Sequence, residues 1–482
     1  MRQCRHGWLA LLLLWTIPLA GENARSETIQ TSTIRDQKDV AVTVYNSNVA
    51  LIRDVRKVRL STGIVHLRYM DIAARVNPRT VHIVSLTAPK DLAVMEQNYE
   101  YDLLSPQKLL AKYVGKTVTL IRLRMENNST REEAVKAELL ALNEGPVWKV
   151  GNEIITGLGA DRYVFPEVPE NLYSKPTLVW MLDNRQASDQ TLEASYLTSD
   201  MTWSADYVLT VAADQKTADL NGWVTVINNS GTEYRNALLQ LVAGELHRVR
   251  EEADVEAVRY KALRAEAAPA PQFAREAISE YHLYTLERRT TIRDRETKQI
   301  SLLFAPGVTV EKHYIVDGQY HYFRGESRPG EPIKEPVKVY FWFNNTEANS
   351  LGVPLPAGTV RVYQGDSKGR VQFIGEDRIQ HTPENETLKL YIGNAFDVVA
   401  ERIQTDYVKL GPRTVELAFE ISLRNRKTEP ITVEVNEPIG GDWTMVDANY
   451  KWEKTAAFAA RFKVPVAADT ESLLKYRVRV RW

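Results

Sequence analysis

Apolar and polar residues alternate along most of this chain with the period of two that a half-buried strand requires. Val40 to Tyr45 and Val49 to Leu60 show the pattern first, and Thr62-Gly63 turns the chain into Ile64 to Met70, with Thr80 to Leu86 following. Four further candidates lie between Leu192 and Gly244: Leu192 to Leu197, Trp203 to Val211, Leu220 to Asn228 and Ala237 to Val242. The last 80 residues repeat the theme in Val415 to Leu423, Ile431 to Val435, Ala457 to Val464 and Leu474 to Trp482. In the last of these, Tyr476, Val478, Val480 and Trp482 are expected in a core, with Arg477, Arg479 and Arg481 in water. The chain therefore reads as mainly β, built from several antiparallel β-sandwich or barrel-like units with a short helix and a charged linker.

Helical signals are few. Ser105-Pro106 supplies a capping serine and a proline for the first helical position, and Gly115 ends the segment. Thr117 to Arg124, Ala137 to Leu142, Val147 to Val150 and Glu153 to Thr156 follow as short strands, a meander that suggests a small barrel. Thr130 and Glu133 also have capping-box spacing, but the strand reading is preferred there. Between Arg248 and Glu266 ten of 19 residues are charged, and Ala267 to Pro271 follow, the composition of a linker. The organisation expected is a signal peptide at 1–24, an N-terminal β region at 35–100, the small barrel-like unit at 101–165, and a sandwich region at 166–247. The linker at 248–277, a β-rich middle region at 278–400 and a C-terminal sandwich at 401–482 complete it.

Export is read from the first residues. Arg2, Arg5 and His6 precede the apolar run Trp8 to Ala20, which is broken by Pro18. A run of 13 residues is shorter than the roughly 20 that a spanning helix needs, so cleavage is expected within residues 20 to 26, leaving no transmembrane segment in the mature chain and a periplasmic or secreted product. The single cysteine, Cys4, would leave with that segment, so disulfides are not expected to contribute. With 61 basic and 62 acidic residues the chain offers no basic stripe for nucleic acid.

The sharpest wording lies in Tyr196 to Tyr207 (YLTSDMTWSADY), Leu220 to Gly244 (LNGWVTVINNSGTEYRNALLQLVAG), Tyr281 to Leu286 (YHLYTL), Thr297 to Gly307 (TKQISLLFAPG) and Gly159 to Glu170 (GADRYVFPEVPE). With these stretches the chain resembles the exported bacterial proteins grouped as domain of unknown function 4139. The resemblance implies a mainly β fold and an envelope location, and it transfers no catalytic residue. Larger relatives carry a coiled-coil domain before the shared region; no such heptad segment occurs here, and the linker is more charged than the Ala/Pro-rich one the family suggests.

Motifs for chemistry are sparse. Gly157-Leu158-Gly159-Ala160 lacks the third glycine of a nucleotide loop and leads into Tyr163 to Pro166 instead of a helix. His313 and His321 flank Asp317-Gly318 in an expected hairpin; a two-residue loop would send the two rings to opposite faces, and a three-residue loop would put them on the same face. No metal or other cofactor is expected. Tyr340, Phe341 and Trp342 could line a glycan groove, but consecutive strand positions serve two faces in alternation. The densest polar group, Glu376, Asp377, Arg378 and His381, contains an acid, a base and an orienting cation, so it is the candidate binding site; its other reading is a solvated turn between strands. Two functions compete. One is a non-enzymatic binding or scaffold protein contacting another envelope protein or a surface polymer, and the other is a hydrolase of envelope glycan or peptide. The absence of a recognisable catalytic motif favours the first.

Overall fold

The computed structural model describes residues 28–100, 102, 104–126, 129–169, 172–173, 175–244, 272–278, 281–325, 330–366, 368 and 370–482. The expected signal segment and residues 248–271 of the expected linker lie outside these. The end of that linker differs from the expectation: Phe273–Ile278 is a strand paired antiparallel with Tyr281–Leu286, with Phe273 buried.

The described residues divide into two compact units, one drawn from 28–38, 55–72 and 82–194 and the other from 39–54, 73–81 and 195–482. In the first, Thr28–Ser32, Gly63–Met70, Thr177–Asn184 and Leu92–Glu100 form a four-stranded sheet whose first pair is parallel. Alternation drives it: Val65, Leu67 and Tyr69 are buried on one strand and Leu178, Trp180 and Leu182 on its neighbour. Tyr69 meets Trp180 edge-on at 5.5 Å between ring centroids, and the buried Arg56 guanidinium lies 3.6 Å from the Tyr69 ring while donating to the Ser32 carbonyl at 3.2 Å.

The same unit contains the smaller element expected after residue 101. Ser105 caps the helix Pro106–Lys112 by accepting from the Lys108 N–H at 3.2 Å. A five-stranded sheet follows in the order Glu153–Thr156, Val147–Val150, Ser129–Ala141, Thr117–Glu126, Arg162–Val164. The strand reading of 130–141 holds, since Ser129–Ala141 pairs along the length of Thr117–Glu126. The barrel does not close: Glu153–Thr156 and Arg162–Val164 remain opposite edges, and a core of Tyr113, Val118, Leu120, Ala137, Leu139 and Trp148 is buried on one face.

The second unit contains a five-stranded sheet ordered Glu296–Thr309, Thr217–Asn228, Met201–Val211, Gly358–Gly365, Val371–Ile379. Met201–Val211 pairs antiparallel with Thr217–Asn228 but parallel with Gly358–Gly365, so the sheet is mixed. A sandwich closes the chain. Its six-stranded sheet runs Thr387–Asn394, Lys338–Asn344, Glu311–Asp317, Ile431–Glu437, Ala459–Val466, Trp452–Ala456, and its five-stranded sheet runs Ile333–Glu335, Val398–Gly411, Thr414–Asn425, Thr470–Arg481, Asp442–Ala448. Inward residues of both sheets, among them Val316, Phe419, Phe462 and Tyr476, make one core, which Phe323 joins from the 3₁₀ helix Tyr320–Phe323.

Tyr476, Val478 and Val480 occupy that core as expected, but Trp482 does not. It falls beyond the last strand residue and is 38% exposed, its ring edge-on to Tyr320 at 6.0 Å. The alternation ends with the strand, so residue 482 is no longer held over the inner face. Trp482→Ala is accordingly expected to cost under about 1 kcal/mol, well below the ~3–5 kcal/mol of a buried tryptophan. Chemical unfolding of the variant beside the parent protein checks this.

Candidate functional site

Glu376, Asp377 and Arg378 lie within the edge strand Val371–Ile379, not in a turn, and His381 follows its end. The polar run is strand because it pairs with Gly358–Gly365, placing Thr359 opposite Arg378, Val360 opposite Asp377 and Arg361 opposite Glu376. Alternation sends Asp377 to the face opposite Glu376 and Arg378. Glu376 Oε2 lies 3.5 Å from Arg361 Nε, while Arg361 Nη1 donates to Asp206 Oδ1 at 3.0 Å and Thr225 Oγ1 donates to Asp206 Oδ2 at 3.0 Å. This is a cross-strand ladder of opposite charges.

Asp377 is used differently. Its Oδ2 accepts the Tyr391 N–H at 2.7 Å and its Oδ1 accepts the Arg378 N–H at 2.8 Å. Gly375 makes the first bond possible, because a Cβ there would stand 2.6 Å from the Ile392 carbonyl oxygen. His381 Nδ1 accepts the Ala357 N–H at 3.2 Å. Glu376, Asp377 and His381 are thus each held by a cross-strand or backbone partner, with Asp377 on the face of the strand opposite Glu376 and Arg378.

The expected hairpin at Asp317-Gly318 is absent. Glu311–Asp317 pairs antiparallel with Lys338–Asn344 and parallel with Ile431–Glu437, and the Gly318 N–H donates to the Asn436 carbonyl at 2.8 Å. Those pairings carry the chain past Gly318 into the short 3₁₀ helix Tyr320–Phe323, separating His321 from the strand that holds His313. His313 Nδ1 and Glu434 Oε1 are 2.8 Å apart, and the imidazole stacks on Trp342 with centroids at 3.9 Å. His321 instead contacts the Tyr322 ring at 4.5 Å. Among the described residues no group of three or more His, Cys, Asp or Glu is placed to hold a metal ion.

Trp342 and Tyr340 do share a face that excludes Phe341, which is buried. The Trp342 ring is nevertheless occupied: His313 from one neighbouring strand stacks on it, and Lys389 Nζ from the other lies 4.4 Å from its centroid. Both contacts compete with any sugar ring.

The least expected constellation is buried inside the C-terminal sandwich. Arg402, only 1% exposed, donates through Nε to Glu335 Oε1 at 2.8 Å, through Nη2 to Glu437 Oε1 at 2.7 Å and through Nη1 to the Tyr476 hydroxyl at 3.1 Å. The Tyr322 and Phe419 rings lie 5.0 and 5.6 Å from its guanidinium. Two carboxylates facing one cation leave a net negative charge when both are ionised, and Glu437 Oε2 has no hydrogen-bond partner among the described residues. Burial accordingly pushes the Glu437 carboxyl above its ordinary range, with Arg402 opposing. Desolvation also raises the Tyr476 hydroxyl well above its usual value, and Glu437 adds to the effect. Arg402 stays charged despite its own burial because Glu437, Tyr476 and Glu335 surround it. Periodicity missed this group: Arg402 and Glu437 sit at inward strand positions, where the only signal is a charged residue in an apolar register.

No significant match to the chain is found among curated proteins. The sequence model of a family described as a domain of unknown function matches residues 192–441, a stretch running from the strand Ser188–Ser199 to Gly441 beside the sandwich strand Asp442–Ala448. That span is more than half of the chain and contains the sequence stretches from Tyr196 to Gly307, Arg402 and its two carboxylates, and Glu376 to His381, so the protein belongs to the domain of unknown function 4139 family.

Proposed function

We propose that the protein is a non-enzymatic binding or scaffold component of the bacterial cell envelope that contacts another envelope protein or a surface polymer. The observation that carries this reading is the commitment of the polar candidates: Glu376 to Arg361, Asp377 to the Tyr391 amide and His381 to the Ala357 amide. A general acid or base needs a side chain free to exchange a proton with a substrate, and these side chains, although Glu376 and His381 are exposed, are each engaged by a partner within the chain. The ionic cluster around Arg402 is buried within the sandwich, away from solvent. The basic start and short apolar run at residues 2–20 support delivery to the envelope.

Two measurements test the proposal. N-terminal sequencing of the fractionated protein is expected to begin within residues 20 to 27, and recovery of a chain starting at Met1 in the membrane fraction would overturn export. Mild cross-linking in the envelope followed by purification is expected to recover a discrete partner. Hydrolysis of envelope glycan or peptide by the purified chain would replace the binding reading with the hydrolase one.

A further inference from the structure

The strand Thr470–Arg481 points Arg477, Arg479 and Arg481 to the outer face of the five-stranded sheet, because Tyr476, Val478 and Val480 take the inner one. Two of the three have close acidic partners. Arg477 Nη1 reaches Asp406 at 2.8 Å and Glu416 at 3.2 Å, and Arg479 binds Glu416 Oε2 through Nε at 3.1 Å and Nη2 at 2.9 Å. Arg479 and then burial act in opposite directions on Glu416, and the net effect lowers its carboxyl below the ordinary range. Arg481 differs: Thr414 and Asp442 are its register partners, and neither it nor Arg413 forms a side-chain ion pair among the described residues.

Arg413, Arg479 and Arg481 line one cavity of about 620 Å³ together with Thr414, Thr444 and Asp442. Its frame is held by backbone. The Trp482 N–H donates to the Arg413 carbonyl at 2.8 Å, tying the turn before Thr414 to the end of the arginine strand. Gly441, at φ +72°, lets the preceding loop approach that strand, since a Cβ there would stand 2.6 Å from the Arg481 carbonyl oxygen. Three guanidiniums against Asp442, with Glu416 offsetting Arg479 from outside the lining, leave the cavity positive.

We infer that this cavity binds an anion carrying adjacent phosphate groups. Two guanidiniums without acidic partners among the described residues present about ten N–H donors in planar forks, and two threonine hydroxyls adjoin them, more donors than a single carboxylate can accept. A diphosphate supplies enough oxygens for both forks. The site is separate from the sheet that carries Glu376 to His381, and the inference does not depend on the function proposed above.

Calorimetric titration of the purified full chain with pyrophosphate tests it directly. Saturable binding is expected, weakening steeply with added salt. R413Q/R481Q is expected to lose roughly tenfold or more in affinity, the scale of a lost charge-assisted bond, while K451Q/K463Q, with the same charge change on exposed lysines outside the cavity, retains it. Asp442→Asn should tighten binding several-fold. Phosphatidylcholine vesicles with and without diacylglycerol pyrophosphate distinguish the source: arginine-dependent capture of the acidic vesicles assigns the diphosphate to a lipid headgroup, and pyrophosphate binding without capture assigns it to a soluble ligand. Absence of both, equal losses in the two double variants, or weaker binding by Asp442→Asn would overturn the inference. Unchanged melting of the glutamine variants separates lost binding from lost fold.

Discussion

Replacing Arg402 by methionine is expected to destabilise the C-terminal sandwich by about 3–5 kcal/mol, the usual cost of removing one partner from a buried ionic group. The methionine fills much of the side-chain volume, so the loss is electrostatic: Glu335 and Glu437, 8% and 0% exposed, would face each other without the cation that bridges them. Glu437→Gln is expected to cost less, because it keeps the shape and removes the charge that has no second partner. Gly318→Ala should also be costly, since a Cβ there would press on the Glu437 carboxylate.

The same group predicts the sign of a pH effect. The folded-state Glu437 carboxyl titrates above its unfolded value, so folding takes up a proton between the two values. Its contribution is therefore complete below the ordinary carboxylate range and is lost as pH rises through the raised folded value. Arg402 and Glu335 face this carboxyl directly, and Tyr476 and Tyr322 border the same cluster, both tyrosines being raised by burial. Urea unfolding measured at a series of pH values should show a downward component above about pH 4.5 that Glu437→Gln removes. A Glu437→Gln profile that parallels the parent would show that the carboxyl binds its proton equally in the folded and unfolded states and would overturn the raised value.

Trp148→Ala is expected to unfold the helix-and-sheet element at 104–165, with a local loss of about 3–5 kcal/mol. Among the described residues its core has six buried members, and Trp148 is the largest of them, stacked on Tyr163 at 5.9 Å. Neighbours in so small a core cannot collapse into the space left behind. Hydrogen exchange should become fast through the strands Thr117–Glu126 and Ser129–Ala141. Protection unchanged in these strands would mean that the rest of the core suffices. The contrast with Trp482, a residue of the same type at an exposed chain end, isolates burial as the cause.

The alternation of Gly63–Met70, Met201–Val211 and Thr470–Arg481 was legible from sequence because period two is a local property of a strand with one buried face. The helix after Ser105 was legible for the same reason, its cap and proline lying within four residues of each other. The candidate group Glu376 to His381 was found as a cluster along the chain, but its partners Arg361, Tyr391 and Ala357 come from other segments, so its geometry was not.

The residues themselves thus determined a strand-rich chain, the inward and outward sides of most strands, and the wording that places it in its family. Tertiary structure decided the rest. Asp317-Gly318 carries a hairpin-like signature, yet pairing with Lys338–Asn344 and Ile431–Glu437 keeps the chain from turning back there. Glu335, Arg402 and Glu437 are separated by dozens of residues and meet only when two sheets close over them. Arg413 and Arg481 share a cavity because a backbone bond joins the turn before one strand to the end of another. Which face a side chain takes follows from the residue before and after it, but which partner it finds there depends on strand order and register, and those are set by contacts between distant parts of the chain.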